Sequence, residues 1–306
     1  MMNIHLHNID LTSSSGPNCF GRKLFDYLRS NGLTFDASQV ADLALVFIET
    51  GVKHITAPII QRLDGIYFNS EQNYLAQNKQ ILDTYRRSSG VVFQSEFNKE
   101  LTTKYFGEHK NSAIIHNGAN LDLIKSLPNI EASIFSNYKN VWCCASSWRP
   151  HKRLEENIRY FLEHSGADDV LLVAGYTGHA LKKPIEDKKI KYLGNLDYIS
   201  LLNIYKCCDY FIHLAWLDHC PNVVVDARAC GCRIICSSAG GTKEIAGPDA
   251  IIIDEEDWDF EPVKLYSPPA LNFEQTSKNL HNSNYDMGYV GKKYLDFMKE
   301  NTNEYQ

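Results

Sequence analysis

The chain has 306 residues, enough for two domains of ordinary size. It is 44% hydrophobic and 22% charged, with a formal net charge of −6; this is a globular balance without the basic footprint of a nucleic-acid binder. No segment approaches the roughly eighteen apolar residues that span a bilayer. Residues 1–11 hold His5, His7 and Asp10 where a signal peptide needs an apolar run, so a cytoplasmic protein is expected.

A short apolar strand, Ile4 to Leu6, comes first. The turn-rich loop Thr12 to Asn18 precedes a helix in which Phe20, Leu24, Phe25 and Leu28 share a face, ended by Asn31-Gly32. Leu43 to Ile48 is a continuous apolar run of strand length, and 55–60 offers a second. A helix over 73–87, a strand at 91–93, a helix over 98–105 and a strand at 113–115 follow. Continuous apolar strands between helices indicate a parallel sheet covered on both faces. Asn117-Gly118 signals a turn, and the domain junction is placed shortly after it, giving a first domain over 1–125 and a second over 126–284.

The second half repeats the alternation. Strands are expected at 141–145, 170–174, 190–193, 210–214, 233–236 and 250–253, with helices over 154–163, 198–207, 222–229 and 242–245. The reading is a doubly wound α/β domain whose ligand lies beyond the C-terminal ends of the strands. Residues 258–273 contain prolines without a clean period and read as irregular. A last helix, about 285–300, aligns Tyr289, Tyr294, Leu295 and Met298 and is expected to pack back on the first domain.

Nine cysteines, several inside apolar runs, read as reduced core residues. Cys230, Cys232 and Cys236 lack the second half of a zinc pattern, so no metal site is expected.

Three loops of the second half carry chemistry. Leu217-Asp218-His219-Cys220-Pro221-Asn222 leads from a buried strand into a helix that continues Val223-Val224-Val225-Asp226. Proline suits a first helical turn, and the N–H groups of Asn222, Val223 and Val224, with the positive helix end, suit a diphosphate. Asp226, one turn in, can accept from ribose hydroxyls; Asp218 would repel a phosphate but suits sugar hydroxyls. Both aspartates are equally explained as charges favouring a helix start. Ser146 to Arg153 brings Arg149, Lys152 and Arg153 to the end of a buried strand, where cations would neutralise a departing diphosphate. A solvated basic loop is the plainer explanation of that segment alone. In Ser237 to Glu244, Gly240-Gly241 permits close backbone approach to a ligand.

Taken together, residues 192–246 resemble the retaining glycosyltransferases of the GT-B fold, of the glycosyltransferase family 4 type. The resemblance runs through Leu193-Gly194-Asn195, Leu201 to Tyr205, Cys208 to Ile212, the Asp218 to Asp226 loop, Ala229 to Ser237 and Gly240 to Ile245. Weaker likeness touches Gly16-Pro17, Arg62-Leu63-Asp64-Gly65, Val91 to Ser95 and Asn117-Gly118. It implies two Rossmann-like domains facing across a cleft, with a short N-terminal domain. Asp218 and Asp226 would stand at the family's two acidic positions, usually both glutamate, the first on the donor sugar and the second on the ribose. Arg149 and Lys152 would hold the diphosphate, the backbone of Leu193 to Asn195 the base, and Gly16 would let a first-domain loop approach the donor. Candidate catalytic residues are therefore Asp218, Arg149 and Lys152; candidate donor-binding residues are Asp226, Gly16, Pro221, Asn222, Val223, Leu193, Gly194 and Asn195. A first-domain histidine often lines the family's reaction centre, with His54 and His116 as candidates here.

No residue pair reads as an activated nucleophile with its base. The resemblance implies a front-face displacement of a hexose-type sugar from a nucleoside-diphosphate sugar to a hydroxyl of a carbohydrate, glycan or glycoconjugate. Neither cofactor nor metal is expected, nucleic acid is excluded as a partner, and membrane docking is not indicated. A sugar-nucleotide epimerase on the same fold, and a non-catalytic nucleotide-sugar-binding or scaffolding protein, stand as the alternatives. The shorter acids and short first domain keep the second of these open. A nicotinamide dehydrogenase is disfavoured because no Gly-x-Gly-x-x-Gly follows the first strand of either half.

Overall fold

The computed structural model describes residues 2–13, 15–37, 40–128, 135–178, 180–181 and 183–303. They form two compact units, one of 1–120, 260–263 and 284–306, the other of 121–259 and 264–283. Among the described residues no helix is long and apolar enough to cross a membrane.

The first unit runs β1 (Ile4–His7), α1 (Gly16–Ser30), β2 (Leu43–Phe47), β3 (Ile59–Leu63), α2 (Tyr74–Arg87), β4 (Gly90–Phe93), α3 (Glu96–Phe106) and β5 (Ser112–Ile114). α1 starts two residues before Asn18, inside the segment expected to be loop, because Pro17 fits a first turn and its missing N–H costs nothing there. β3 begins at Ile59 rather than Ile55: Pro58 has no N–H for the ladder and offers only its carbonyl, which Ala44 N–H takes at 2.9 Å.

The five strands are parallel and lie in chain order. The outer edge of β1 carries one further bridge, to Thr34: Ile4 N–H donates to Thr34 O at 2.8 Å and Thr34 N–H to Met2 O at 3.0 Å. The chain thus touches down outside β1 before crossing to β2 on its inner side. Asn3 pins the crossing. Its side chain accepts from Asp36 N–H at 3.0 Å and donates to Asp36 O at 3.0 Å, while its backbone bonds Asp42.

The second unit runs α4 (Leu121–Ser126), β6 (Val141–Ala145), α5 (Leu154–His164), β7 (Val170–Ala174), β8 (Ile190–Gly194), α6 (Tyr198–Tyr205), β9 (Tyr210–His213), α7 (Asn222–Ala229), β10 (Arg233–Ser237), α8 (Thr242–Ile245), β11 (Ile251–Ile253) and β12 (Thr276–Lys278). α4 and β12 are additions to the sequence reading; one is a turn and a half long, the other three exposed residues, too little to carry a period. α9 (Met287–Asn303) belongs to the first unit, where Met287, Val290, Tyr294, Phe297 and Met298 join Phe20, Leu24 and Leu28 of α1 on the sheet face of Leu45, Ile60 and Val92. Fully buried Arg62 ties that face together. It donates to Tyr294 Oη at 3.2 Å and Asn117 Oδ1 at 2.7 Å, pairs with Asp64 and stacks on Phe20.

In the second sheet the order is β12-β11-β10-β9-β6-β7-β8, parallel except for β12. From β6 the chain winds outward through β7 and β8, then returns to β9 on the other side. The direction therefore reverses between adjacent β6 and β9, and in an open α/β sheet the crevice at that reversal is where ligands bind.

Candidate functional site

The two loops richest in chemistry leave from these two neighbouring strands. β6 is buried throughout, and behind it Trp148, 2% exposed, donates Nε1–H to Ala174 O at 2.8 Å, anchoring its loop over β7. Pro150–Lys152 form one 3-10 turn, and Arg153 follows in the left-handed region, with φ 51°, as the N-cap of α5. Arg149 is exposed and Lys152 half-buried. Arg153 turns away from this edge: it grips Glu255 with two bonds of 2.8 and 2.7 Å and donates to Pro269 O at 2.8 Å. Of the three loop cations, Arg149 and Lys152 lie outside that grip.

From β9 the chain passes Leu217, another non-glycine residue at positive φ (56°), into Asp218. Lys152 Nζ lies 2.5 Å from Asp218 Oδ2, joining the loops after β6 and β9 across the reversal point. The same oxygen accepts from His213 Nε2 at 2.9 Å, and Oδ1 accepts from the His219 N–H at 3.0 Å. Burial opposes ionisation of Asp218, but the ammonium and the imidazole bond outweigh it and hold its carboxyl well below the usual range. The loop is fixed from behind by Gly240, with φ 94°, which bridges Asp218, while Gly241 N–H donates to Asp218 O at 2.8 Å. Gly240 permits a close approach to this loop.

The helix after that loop, α7, has Pro221 as N-cap without a side-chain cap. Val224 N–H donates to Pro221 O at 3.1 Å, so this expected donor is engaged at the helix start, where Asn222 and Val223 are half-buried. Asp226 lies further along α7 at 4% exposure; burial pushes the Tyr205 hydroxyl and the Cys230 thiol up, and the nearby Asp226 carboxylate adds to both. Leu193, Gly194 and Asn195 are at the C-terminal end of edge strand β8, on the same sheet edge but two strands from β6. Gly16 is in the first unit as the first residue of α1. The structure therefore joins Asp218 to Lys152 directly; Arg149 lies on the same loop as Lys152, the β8 residues lie at the same sheet edge, and Asp226 is buried within α7.

His213 was not among the residues expected here. It sits inside the run Tyr210 to Leu214, whose apolar neighbours mark a buried strand, and its position at the end of that strand was the only signal. Asp257-Trp258-Asp259, the chain's Asp-x-Asp triplet, lies in the loop after β11 with both aspartates exposed. Among the described residues no three His, Cys, Asp or Glu converge to hold a metal. All nine cysteines are unbridged, and burial pushes Cys230 and Cys236 up to about 12, which leaves these thiols inert.

The same burial acts on the site histidines. Desolvation pushes His151 down to about 3 and His219 to about 4, and lowers His213. Each is harder to protonate in the folded chain than in the unfolded one, where imidazoles take up protons below about pH 6.5. The unfolded state then binds more protons, so stability falls as pH drops from about 6.5 towards 4, and Asp218 extends the loss below that. A melting series from pH 7.5 to 4.5 is expected to fall steadily with onset near 6.5; a flat series would mean that these histidines are protonated in place.

Residues 128–260 match the model of the family described as glycosyl transferases group 1. Those residues make up most of the second unit, which is similar to that family. No curated protein sequence matches the chain significantly. Among solved structures, the chain resembles HepE of Anabaena in complex with UDP and glucose, with TM-score 0.68, 13% identity and 98% and 100% of the two chains covered. It equally resembles sucrose-phosphate synthase of Thermosynechococcus elongatus, with TM-score 0.68, 11% identity and coverage of 98% and 99%. A glycosyltransferase involved in avilamycin A biosynthesis follows at TM-score 0.63, 10% identity and coverage of 99% and 98%. At such identities the likeness is one of fold, and the fold is that of the GT-B glycosyltransferases, built of two parallel Rossmann-like sheets.

Proposed function

We propose that this glycosyltransferase is a retaining enzyme that moves a hexose-type sugar from a nucleoside-diphosphate sugar to a hydroxyl of a carbohydrate, glycan or glycoconjugate, without a bound metal. The observation that carries the reading is the Lys152–Asp218 pair at the β6/β9 reversal, where a cation and a carboxylate meet beside the start of α7. Lys152 keeps two further N–H donors, which suit the diphosphate, with Arg149 next to it; Asp218 suits the sugar hydroxyls. In the reaction the sugar–phosphate bond breaks as the acceptor oxygen bonds to the same face of the anomeric carbon. The departing phosphate oxygen takes the acceptor proton, so the protein need supply no base. Its work is to position the reactants and to stabilise the charge that grows on the leaving diphosphate. UDP-sugars are the first donors to try, since HepE was solved with UDP, with UDP-glucose, and with UDP and glucose.

The test is incubation of the chain with UDP-, GDP- and ADP-sugars and a panel of sugar acceptors in EDTA, followed by analysis of product anomers. Transfer with retained configuration in chelator is expected. Epimerised donor, inverted product, or donor binding without turnover would each overturn the proposal, and activity restored only by magnesium or manganese would overturn its metal-free part.

A further inference from the structure

We infer that His213 is a positioning residue, holding the Asp218 carboxylate in place while Lys152 serves the leaving diphosphate. The inference rests on the proposed function and deepens it. His213 is the last residue of β9, 2% exposed, with Phe211 and Ile212 buried just before it in the strand. Leu214 N–H donates to Asn157 Oδ1 at 3.2 Å, so the strand end itself is fixed by α5. A ring so enclosed can turn only by repacking its neighbours.

Burial lowers the ring's basicity despite the neighbouring carboxylate and so favours its neutral form. A neutral imidazole carries one N–H, and only a proton on Nε2 satisfies an acceptor-only carboxylate oxygen 2.9 Å away. Asp218 Oδ2 thus has two donors of different kinds. The bond from Lys152 is made by a long, flexible ammonium that a diphosphate competes for. The bond from His213 comes from the sheet, and no phosphate can draw it away. As Lys152 turns towards the diphosphate, His213 is the side chain that keeps the carboxylate aimed. Asp218 is one methylene shorter than the glutamate common at this position in the family, so its reach to a sugar hydroxyl tolerates little drift; displacements of about 1 Å cost roughly a hundredfold in rate. The charged and titratable groups around this bond are Lys152, His151 and His219.

The test compares His213→Leu, His213→Gln and His213→Asn in transfer assays and in calorimetry with UDP. Leucine keeps the apolar bulk and removes the N–H. Glutamine places an amide N–H near the Nε2 position, whereas asparagine is too short to do so. The expected result is that His213→Leu and His213→Asn lose kcat by roughly ten- to a hundredfold with UDP affinity unchanged, and His213→Gln regains most of it. Wild-type kcat in His213→Leu, or equal loss in the glutamine and asparagine variants, would overturn the inference. Should His213→Leu fail to fold, the contrast of glutamine with asparagine decides alone. Failure of the proposed function would show differently, as absence of transfer and of nucleotide binding in the unmodified chain.

Discussion

Lys152→Met is expected to slow sugar transfer by two to three orders of magnitude while the fold survives. The side chain lies in a loop with 17% of its surface exposed, and its bond partner Asp218 keeps His213 and the His219 N–H when the ammonium goes. Loss of the ammonium takes away the carboxylate's counter-charge, so stability falls, but the two remaining hydrogen bonds limit that fall. The catalytic cost is larger, because charge builds on the diphosphate only as the sugar leaves, and a donor aimed at developing charge is worth about 10²- to 10³-fold in kcat. The deficit should sit in kcat more than in the donor KM. Arg149→Ala, at an exposed position on the same loop, is expected to lose less, about tenfold. Steady-state kinetics of both variants checks this, and unchanged turnover in Lys152→Met would return the loop to a solvated basic turn.

Gly240→Ala should damage both stability and activity. The residue holds φ 94°, and a methyl there would stand 2.6 Å from Asp218 O, 2.9 Å from Asp218 N and 3.0 Å from Leu217 Cα. These are backbone atoms, so relief requires moving the loop that presents Asp218. Left-handed strain alone costs about 1–2 kcal/mol, and displacement of the loop adds to it, for a total of about 3 kcal/mol. Gly231→Ala is the control: it has φ 100° but nothing within 4 Å of the added methyl, so it bears the strain alone. The expected order of melting temperature and of transfer is wild type, then Gly231→Ala, then Gly240→Ala, with the last nearly inactive. Equal behaviour of the two variants would show that Gly240 does not support the Asp218 loop.

The legibility of the site in the sequence followed the strength of each local signal. β6, β7 and α7 are largely apolar segments bounded by turn residues or a proline, α8 follows the Gly240-Gly241 turn, and their ends lie at the residues those signals mark. Asp218 and Lys152 are polar residues stranded at the ends of buried strands, which is why they could be singled out. Their bond could not be, since it depends on β6 lying beside β9 although 64 residues separate Ala145 from Tyr210. His213 was hidden because an apolar run reads as core whatever polar residue ends it. Arg153 looked like a site cation and is a buried partner of Glu255, a pairing made across 102 residues. The strand bridge at Thr34 was equally invisible: Asn3, Asp36 and Asp42 hold it through side-chain bonds that leave no hydrophobic period.

The central claim is that one sheet edge holds both halves of a nucleotide sugar, with Asp218 on the sugar and Asp226 on the ribose. Calorimetry with UDP and with the UDP-sugar that supports transfer, on Asp218→Asn and Asp226→Asn, tests it most directly. Each lost bond to a charged group is worth about 1.5–3 kcal/mol, or roughly ten- to a hundredfold in affinity. Asp226→Asn is predicted to weaken UDP and the UDP-sugar by the same factor, whereas Asp218→Asn should leave UDP binding unchanged and depress transfer. Indistinguishable behaviour of the two variants towards both ligands, or wild-type affinity for both ligands in Asp226→Asn, would contradict the account.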